Sequence, residues 1–277
     1  MSGWTYPLCS GVELTEAGMR LALGLDPRDL LQPRFLRVSA ERAVISIPGR
    51  VRRVEGFETI RGRPGIAEVF QRVHPGESVR FPHNNVEKCG NVISVAETRQ
   101  DAVDTAMDAV REVRIELEPG NRETAAFLFG DETPAAHRAF RLADRSNREA
   151  IAAMPPVVGP FSRLQPAARR AALRARPPDG AAAGKLSVVS LPNLEAETES
   201  DWRGLNLHET LAELRGERPI KIIPPGRASP GALAAVFWRA ILTGGLQGAH
   251  YLIDTILECK QQTIEQEIFS QYAPPQP

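Results

Sequence analysis

The chain has 277 residues, and its 34 Lys plus Arg balance 34 Asp plus Glu to a formal charge of zero. That length allows one large or two modest domains with a sizeable core, and the neutral balance argues against nucleic acid or an anionic membrane as the main partner. Cys9, Cys89 and Cys259 are widely spaced, with no C-x-x-C pair, which argues against a disulfide framework or a zinc knuckle and fits reduced thiols in the cytoplasm.

In chain order, Val12 to Leu23 reads as a helix ending at Gly24, a residue suited to a C-cap. Phe35 to Ile47 holds two strand-like pieces around Ser39-Ala40-Glu41-Arg42, which predicts a hairpin. Arg50 to Gly56 alternates basic and apolar residues, the pattern of a half-exposed strand. Ile66 to Val73 and Ser78 to Phe81 read as strands joined through His74-Pro75-Gly76-Glu77. Asn91 to Ala96 is a short β-branched run and predicts a buried strand. Thr98 with Asp101 three residues on resembles a capping box. Ala102, Val103, Ala106, Val110 and Val113 then give an apolar stripe on a helix from about Arg99 to Glu112, and Arg114 to Leu117 closes the unit as a strand.

It is here that the sequence resembles a known family. Pro75, Gly76 and Val79, followed by Gly90, Val92, Thr98 and Ala102, resemble the small C-terminal subdomain of ATP-grasp ligases. Ser10 to Asp26 resembles the segment after that superfamily's metal-binding E-x-N-P-R motif. The resemblance runs from about Pro7 to Leu117 and implies the C-terminal portion of a biotin-carboxylase-like or carboxylate–amine ligase. Such enzymes activate a carboxylate as an acyl phosphate and pass it to an amine, with ATP and Mg²⁺ as cofactors. Trp4 and Tyr6 stand where the family keeps its Glu and Asn metal ligands, with Tyr6-Pro7-Leu8 in place of Asn-Pro-Arg. An indole and a phenol cannot replace those oxygens around Mg²⁺. The family's glycine-rich flap and nucleotide lysines find no counterpart here. ATP and Mg²⁺ are therefore not expected to bind this chain alone, and an ATP-binding domain or companion subunit is the expected partner, with a homodimer also open.

Beyond the resemblance, Pro134 to Met154 reads as a helix with Pro134 in its first turn. Pro155 to Lys185 is rich in Pro, Ala and Arg and reads as a linker with one short basic helix. Leu186 to Leu191 suggests a strand and Leu207 to Leu214 a helix. Ser229-Pro230 opens a further apolar helix, interrupted at Gly244-Gly245 and continued by Leu246, Ala249, Ile253 and Ile256. Its charged and glycine breaks, from Arg239 to Asp254, make it a core helix pair and not a membrane span. The expected class is α+β: a small, mostly antiparallel sheet with flanking helices over residues 1–130, a helix and linker over 131–185, and a mainly helical unit over 186–277.

Two clusters carry candidate chemistry. Pro82-His83-Asn84-Asn85 with Arg80, Glu87 and Lys88 is a dense polar group beside a predicted strand. It fits a polar turn in which Asn-Asn supplies the geometry, with a wall facing a nucleotide domain as the functional alternative. Arg61 and Arg63, with Arg50, Arg52 and Arg53, form a basic strip. It fits a charged strand edge that discourages aggregation, with a phosphate or acyl phosphate held by guanidinium forks as the functional alternative. No residue is assigned a catalytic role. His250 and Asp254 share a helix face, but no third ligand is spaced to complete a metal site.

Overall fold

The computed structural model describes residues 2–142, 147–158, 199–218, 220–222 and 231–258. The chain divides into two compact units, one of residues 1–46 with 50–116 and the other of 47–49 with 117 onward. The α+β class is borne out, with two small three-stranded sheets and a helical C-terminal region.

The first unit begins with α1 (Ser2–Ser10) and α2 (Leu14–Ala22). Gly24 follows α2 at φ 74°, and Leu25 N–H donates back to Arg20 O at 2.8 Å, so the expected glycine stop is present. The first sheet has β5 (Gly90–Ala96) between β1 (Val38–Val44) and β3 (Ile66–Gln71), antiparallel to both. β5 is fully covered from Gly90 to Ser94, as its β-branched run requires. The expected hairpin at Ser39–Arg42 does not form. Those residues lie inside one strand, where Glu41 faces Ile93 and Arg42 faces Val92. A distant strand satisfies their backbone groups, so no local turn is needed.

α4 (Arg99–Glu112) starts at Thr98, whose Oγ1 accepts from Asp101 N–H at 3.2 Å. Its small residues Ala102 and Ala106 meet Ala40 of β1, with Val38, Ala96 and Val103 around them. The close approach lets Ser94 Oγ donate to Ala102 O at 2.5 Å. The second sheet runs in the order β4 (Ser78–Val79), β2 (Gly49–Glu55), β6 (Arg114–Leu117), and β2 shows the expected alternation of covered and exposed residues. After β2 comes Gly56 at φ 96°, where a Cβ would stand 2.3 Å from Glu112 O, so only glycine fits. The short helix α3 (Phe57–Ile60) then buries both of its end residues.

The second unit is built on α8 (Gly231–Glu258), a helical run broken at Gly245 with φ 58° and ψ −148°. This is the interruption expected from Gly244-Gly245. Around it stand α5 (Arg122–Phe129), α6 (Asn147–Ala152), the strand pair β7 (Val157–Val158) and β8 (Lys221–Ile222), and α7 (Leu207–Glu217). Phe237, Trp238, Ile241, Leu252 and Ile253 are wholly buried, and Trp238 Nε1–H donates to Pro155 O at 2.7 Å. α7 carries a reciprocal capping box between Asn206 and Glu209.

The long helix expected from Pro134 to Met154 is not found. Pro134 is extended at ψ 143°, a 3₁₀ turn covers Ala135–His137, and α6 starts only at Asn147. Ala139 N–H and Phe140 N–H instead donate to Thr243 O and Leu242 O at 3.1 and 2.9 Å. Those carbonyls lie just ahead of the break at Gly245, where helical pairing is interrupted. The expected strand at Leu186–Leu191, the Ser229-Pro230 cap, Cys259 and the Ala/Arg block at Ala167–Arg176 lie outside the described residues. Among the described residues no helix is long and apolar enough to cross a membrane.

Candidate functional site

The polar cluster after β4 is a tight turn. Asn84 Oδ1 accepts from Val86 N–H at 2.8 Å and Glu87 N–H at 3.2 Å, and Glu87 Oε2 accepts from His83 N–H at 2.8 Å. The side chains of Asn84 and Glu87 thus do the work of backbone acceptors. Arg80, His83, Asn84 and Asn85 are exposed.

Lys88 is placed differently. It is half-buried, with Nζ 3.6 Å from Glu41 Oε1 on β1. Asn91 Nδ2–H of β5 donates to the same Glu41 oxygen at 2.5 Å. Asn91 is 1% exposed, and its Oδ1 has no hydrogen-bond partner among the described residues. Glu41, Lys88 and Asn91 therefore form a shielded trio with one carboxylate, one ammonium and one unmet acceptor. A buried acceptor left unmet costs about 1–3 kcal/mol, so a donor reaching it would be favoured. Glu41 and Asn91 were not among the predicted site residues. Only the β1–β5 register joins them, and a single sequence carries no signal for that register.

Three arginines of the basic strip, Arg53, Arg61 and Arg63, are neutralised locally. Arg61, just after α3, pairs with Glu58 of that helix at 3.4 Å. Arg63 forms a two-pronged ion pair with Glu112 at the end of α4, and that carboxylate raises the guanidinium's pKa further. Arg53 pairs with Glu116 of β6 at 2.6 Å and Glu55 of β2 at 3.1 Å. The predicted residues are thus split: the Arg80–Asn85 turn, Lys88 at Glu41, and Arg61 and Arg63 on carboxylates of α3 and α4.

α1 holds the positions that the ATP-grasp resemblance assigns to metal ligands. Trp4 is 45% exposed and meets Phe70 edge-on at 5.2 Å, and Tyr6 is 48% exposed. Neither belongs to a donor set suited to Mg²⁺, and no group of three or more His, Cys, Asp or Glu able to hold a metal occurs among the described residues. The residues present do not fit the divalent ion that the resemblance implies.

Comparison with known proteins bears on the stretch that contains β2 to β6. Residues 43–118 match the family described as L-amino acid ligase C-terminal domain 2. That domain 2 segment holds Lys88, Asn91, the Asn84 turn and the ion-paired Arg53, Arg61 and Arg63, while Glu41 lies two residues before it. The resemblance to the C-terminal portion of an ATP-grasp ligase therefore stands. Among solved structures, the L-amino acid ligase from Bacillus licheniformis is similar, at 14% identity and a TM-score of 0.37, over 42% of this chain and 29% of that one. Phosphoribosylglycinamide synthetase from Anaerococcus prevotii is similar at 15% identity and a TM-score of 0.36, over 40% and 29%. The similarity thus covers under a third of either structure's length. No curated protein matches the chain.

Proposed function

We propose that this chain supplies the C-terminal part of an ATP-dependent carboxylate–amine ligase, and that ATP and Mg²⁺ are bound by a separate domain or companion subunit. The observation that carries this reading is the match of residues 43–118 to the ligase domain 2 family. The absence of suitable oxygens at Trp4 and Tyr6 supports the division of labour. Arg80, His83, Asn84, Asn85 and Lys88, with Arg61 and Arg63, are its proposed contacts to substrate or to the companion, without a catalytic role. The compartment is proposed to be the cytoplasm, since Cys89 is a free buried thiol.

A second reading is favoured by one observation. Met19, Leu21 and Leu23 of the α2 region are exposed, Leu23 at 75%, along with Trp4 and Tyr6. Such apolar surface fits a non-catalytic assembly module that pairs with another subunit or with its own copy.

One experiment separates the two. ATP is titrated by calorimetry into the full chain alone and into the chain mixed with an ATP-grasp domain encoded beside it. ADP release is then followed with mixed carboxylates and amines. The ligase reading expects no micromolar ATP binding by the chain alone, and ADP release by the pair that needs both substrates. Micromolar binding to the chain alone overturns the division of labour. A stable pair whose ADP release does not respond to this chain favours the assembly module.

A further inference from the structure

An amine, a carboxamide and a carboxylate meet at a single oxygen in the first unit. Glu41 Oε1 accepts from Asn91 Nδ2–H at 2.5 Å and lies 3.6 Å from Lys88 Nζ. Lys88 and Glu41 keep only 20% and 23% of their side-chain surface in water, and Asn91 is 1% exposed. An amine beside an amide, with a carboxylate touching both, has the parts of an acyl transfer: a nucleophile, an electrophilic carbon and a proton carrier.

The backbone that carries these groups is fixed. Asn91 lies in β5 opposite Ala43 of β1 and Phe70 of β3, and Glu41 stands two residues from Ala43 on the same face of the sheet. Between Lys88 and Asn91, Cys89 N–H donates to Val44 O and Cys89 O accepts from Arg72 N–H, both at 2.9 Å. A Cβ at Gly90 would stand 2.6 Å from Phe70 O, so only glycine allows β5 this approach. The path from Lys88 to Asn91 is thus pinned on both sides, and the two groups are brought together by side-chain rotation alone. The unmet acceptor gives that rotation a direction. Asn91 Oδ1 has no hydrogen-bond partner among the described residues, and Lys88 is the cation of the trio. An N–H of Lys88 turning towards Oδ1 relieves the unmet acceptor and carries Nζ against the amide carbon.

We infer that Lys88 and Asn91 become joined by an amide bond between their side chains, made by the chain itself with Glu41 as proton carrier. Glu41 takes a proton from the Lys88 ammonium, and the neutral amine attacks Asn91 Cγ. The Nζ–Cγ bond forms as the carbonyl electron pair moves onto Oδ1. Glu41 passes its proton to Nδ2, already on the same oxygen, and takes a second from the attacking nitrogen. The carbonyl re-forms, the Cγ–Nδ2 bond breaks and ammonia leaves. The proton left on Glu41 goes to solvent, to which that side chain is part open. Nothing is oxidised or reduced, and no further reactant enters. The ligase reading does not depend on this bond, since it rests on the match of residues 43–118. A joined Lys88 would meet a companion as a neutral amide.

The test is mass spectrometry of the purified full-length chain after prolonged incubation at neutral pH. The intact mass is expected to be the sequence mass less one ammonia. Trypsin is expected not to cut after Lys88, so that residues 81–99 stay in one peptide, lighter by one ammonia, with fragment ions that tie Lys88 to Asn91. Glu41→Gln cannot carry the proton, and Lys88→Arg and Asn91→Ala each remove a reactant, so all three are expected at their full sequence mass. Lys88→Arg keeps a positive charge beside Glu41 and carries the test if either of the other two does not fold. Wild type at its full sequence mass, ordinary cleavage after Lys88, an ammonia loss that maps to another asparagine, or the same loss in Glu41→Gln or Lys88→Arg each overturns the proposal.

Discussion

Cys89 precedes β5 and is buried, and burial pushes its thiol from an ordinary 9.0 up to about 12. The unfolded chain releases that proton near 9, while the native chain holds it until about 12. Across this window the native state binds more protons, so stability falls as pH rises, by up to about 1.4 kcal/mol per pH unit. Urea unfolding at pH 8 and pH 10.5 is expected to show wild type losing about 2 kcal/mol relative to Cys89→Ala. An unchanged difference between the two proteins would show that the thiol is not shielded. In the sequence Cys89 stands just ahead of the β-branched run Asn91 to Ala96, and it is buried where that run becomes β5. Glu41 and Asn91 could not be paired in the same way. They are 50 residues apart, and only strand register brings them together.

Elements fixed by neighbouring residues were the readable ones. Thr98 and Asp101 mark the start of α4 because a cap is a local hydrogen bond. Thr98→Ala is expected to cost about 1 kcal/mol in urea or thermal unfolding and Thr98→Ser much less, because the hydroxyl is the group that accepts. Gly245 was readable for a similar reason, a paired glycine within an apolar helical pattern. At φ 58° an L-residue is strained, so Gly245→Ala is expected to lower stability by about 1 kcal/mol or more, measured by thermal unfolding. Gly216→Ala, in α7 where an added Cβ meets open space, is expected instead to be neutral or stabilising by about 0.5–1 kcal/mol. Elements decided by distant partners were misread. Ser39–Arg42 look like a turn until β5 lies beside them, and Ala139 and Phe140 look helical until α8 offers its carbonyls. In both places long-range backbone pairing overrides local propensity.

At the scale of the whole chain, the boundary between the units does not follow the family-matched segment. Ile47 is fully buried, its N–H donates to Gln247 Oε1 at 3.0 Å, and Pro48 O accepts from Thr124 Oγ–H at 2.8 Å. Residues 47–49 thus belong with the second unit although they lie within the matched stretch 43–118. That stretch also lacks β1 residues Val38–Arg42, which pair with β5. A fragment of residues 43–118 is therefore expected to be unfolded or aggregated by circular dichroism and ¹⁵N NMR, whereas the full chain gives dispersed spectra. A cooperative, well-dispersed fragment would show that the missing strand residues and Ile47's partners are dispensable.

The excursion at Ile47–Gly49 also bears on how such a gene can be rearranged. Because the polypeptide leaves the first unit and returns to it within three residues, one crossover cannot transplant either unit whole. A chimera joined at a single breakpoint inherits a foreign tripeptide at one of its most enclosed positions. Viable hybrids should therefore co-inherit 47–49 with the region after 117 from one parent, a linkage that recombination libraries would reveal as two correlated blocks.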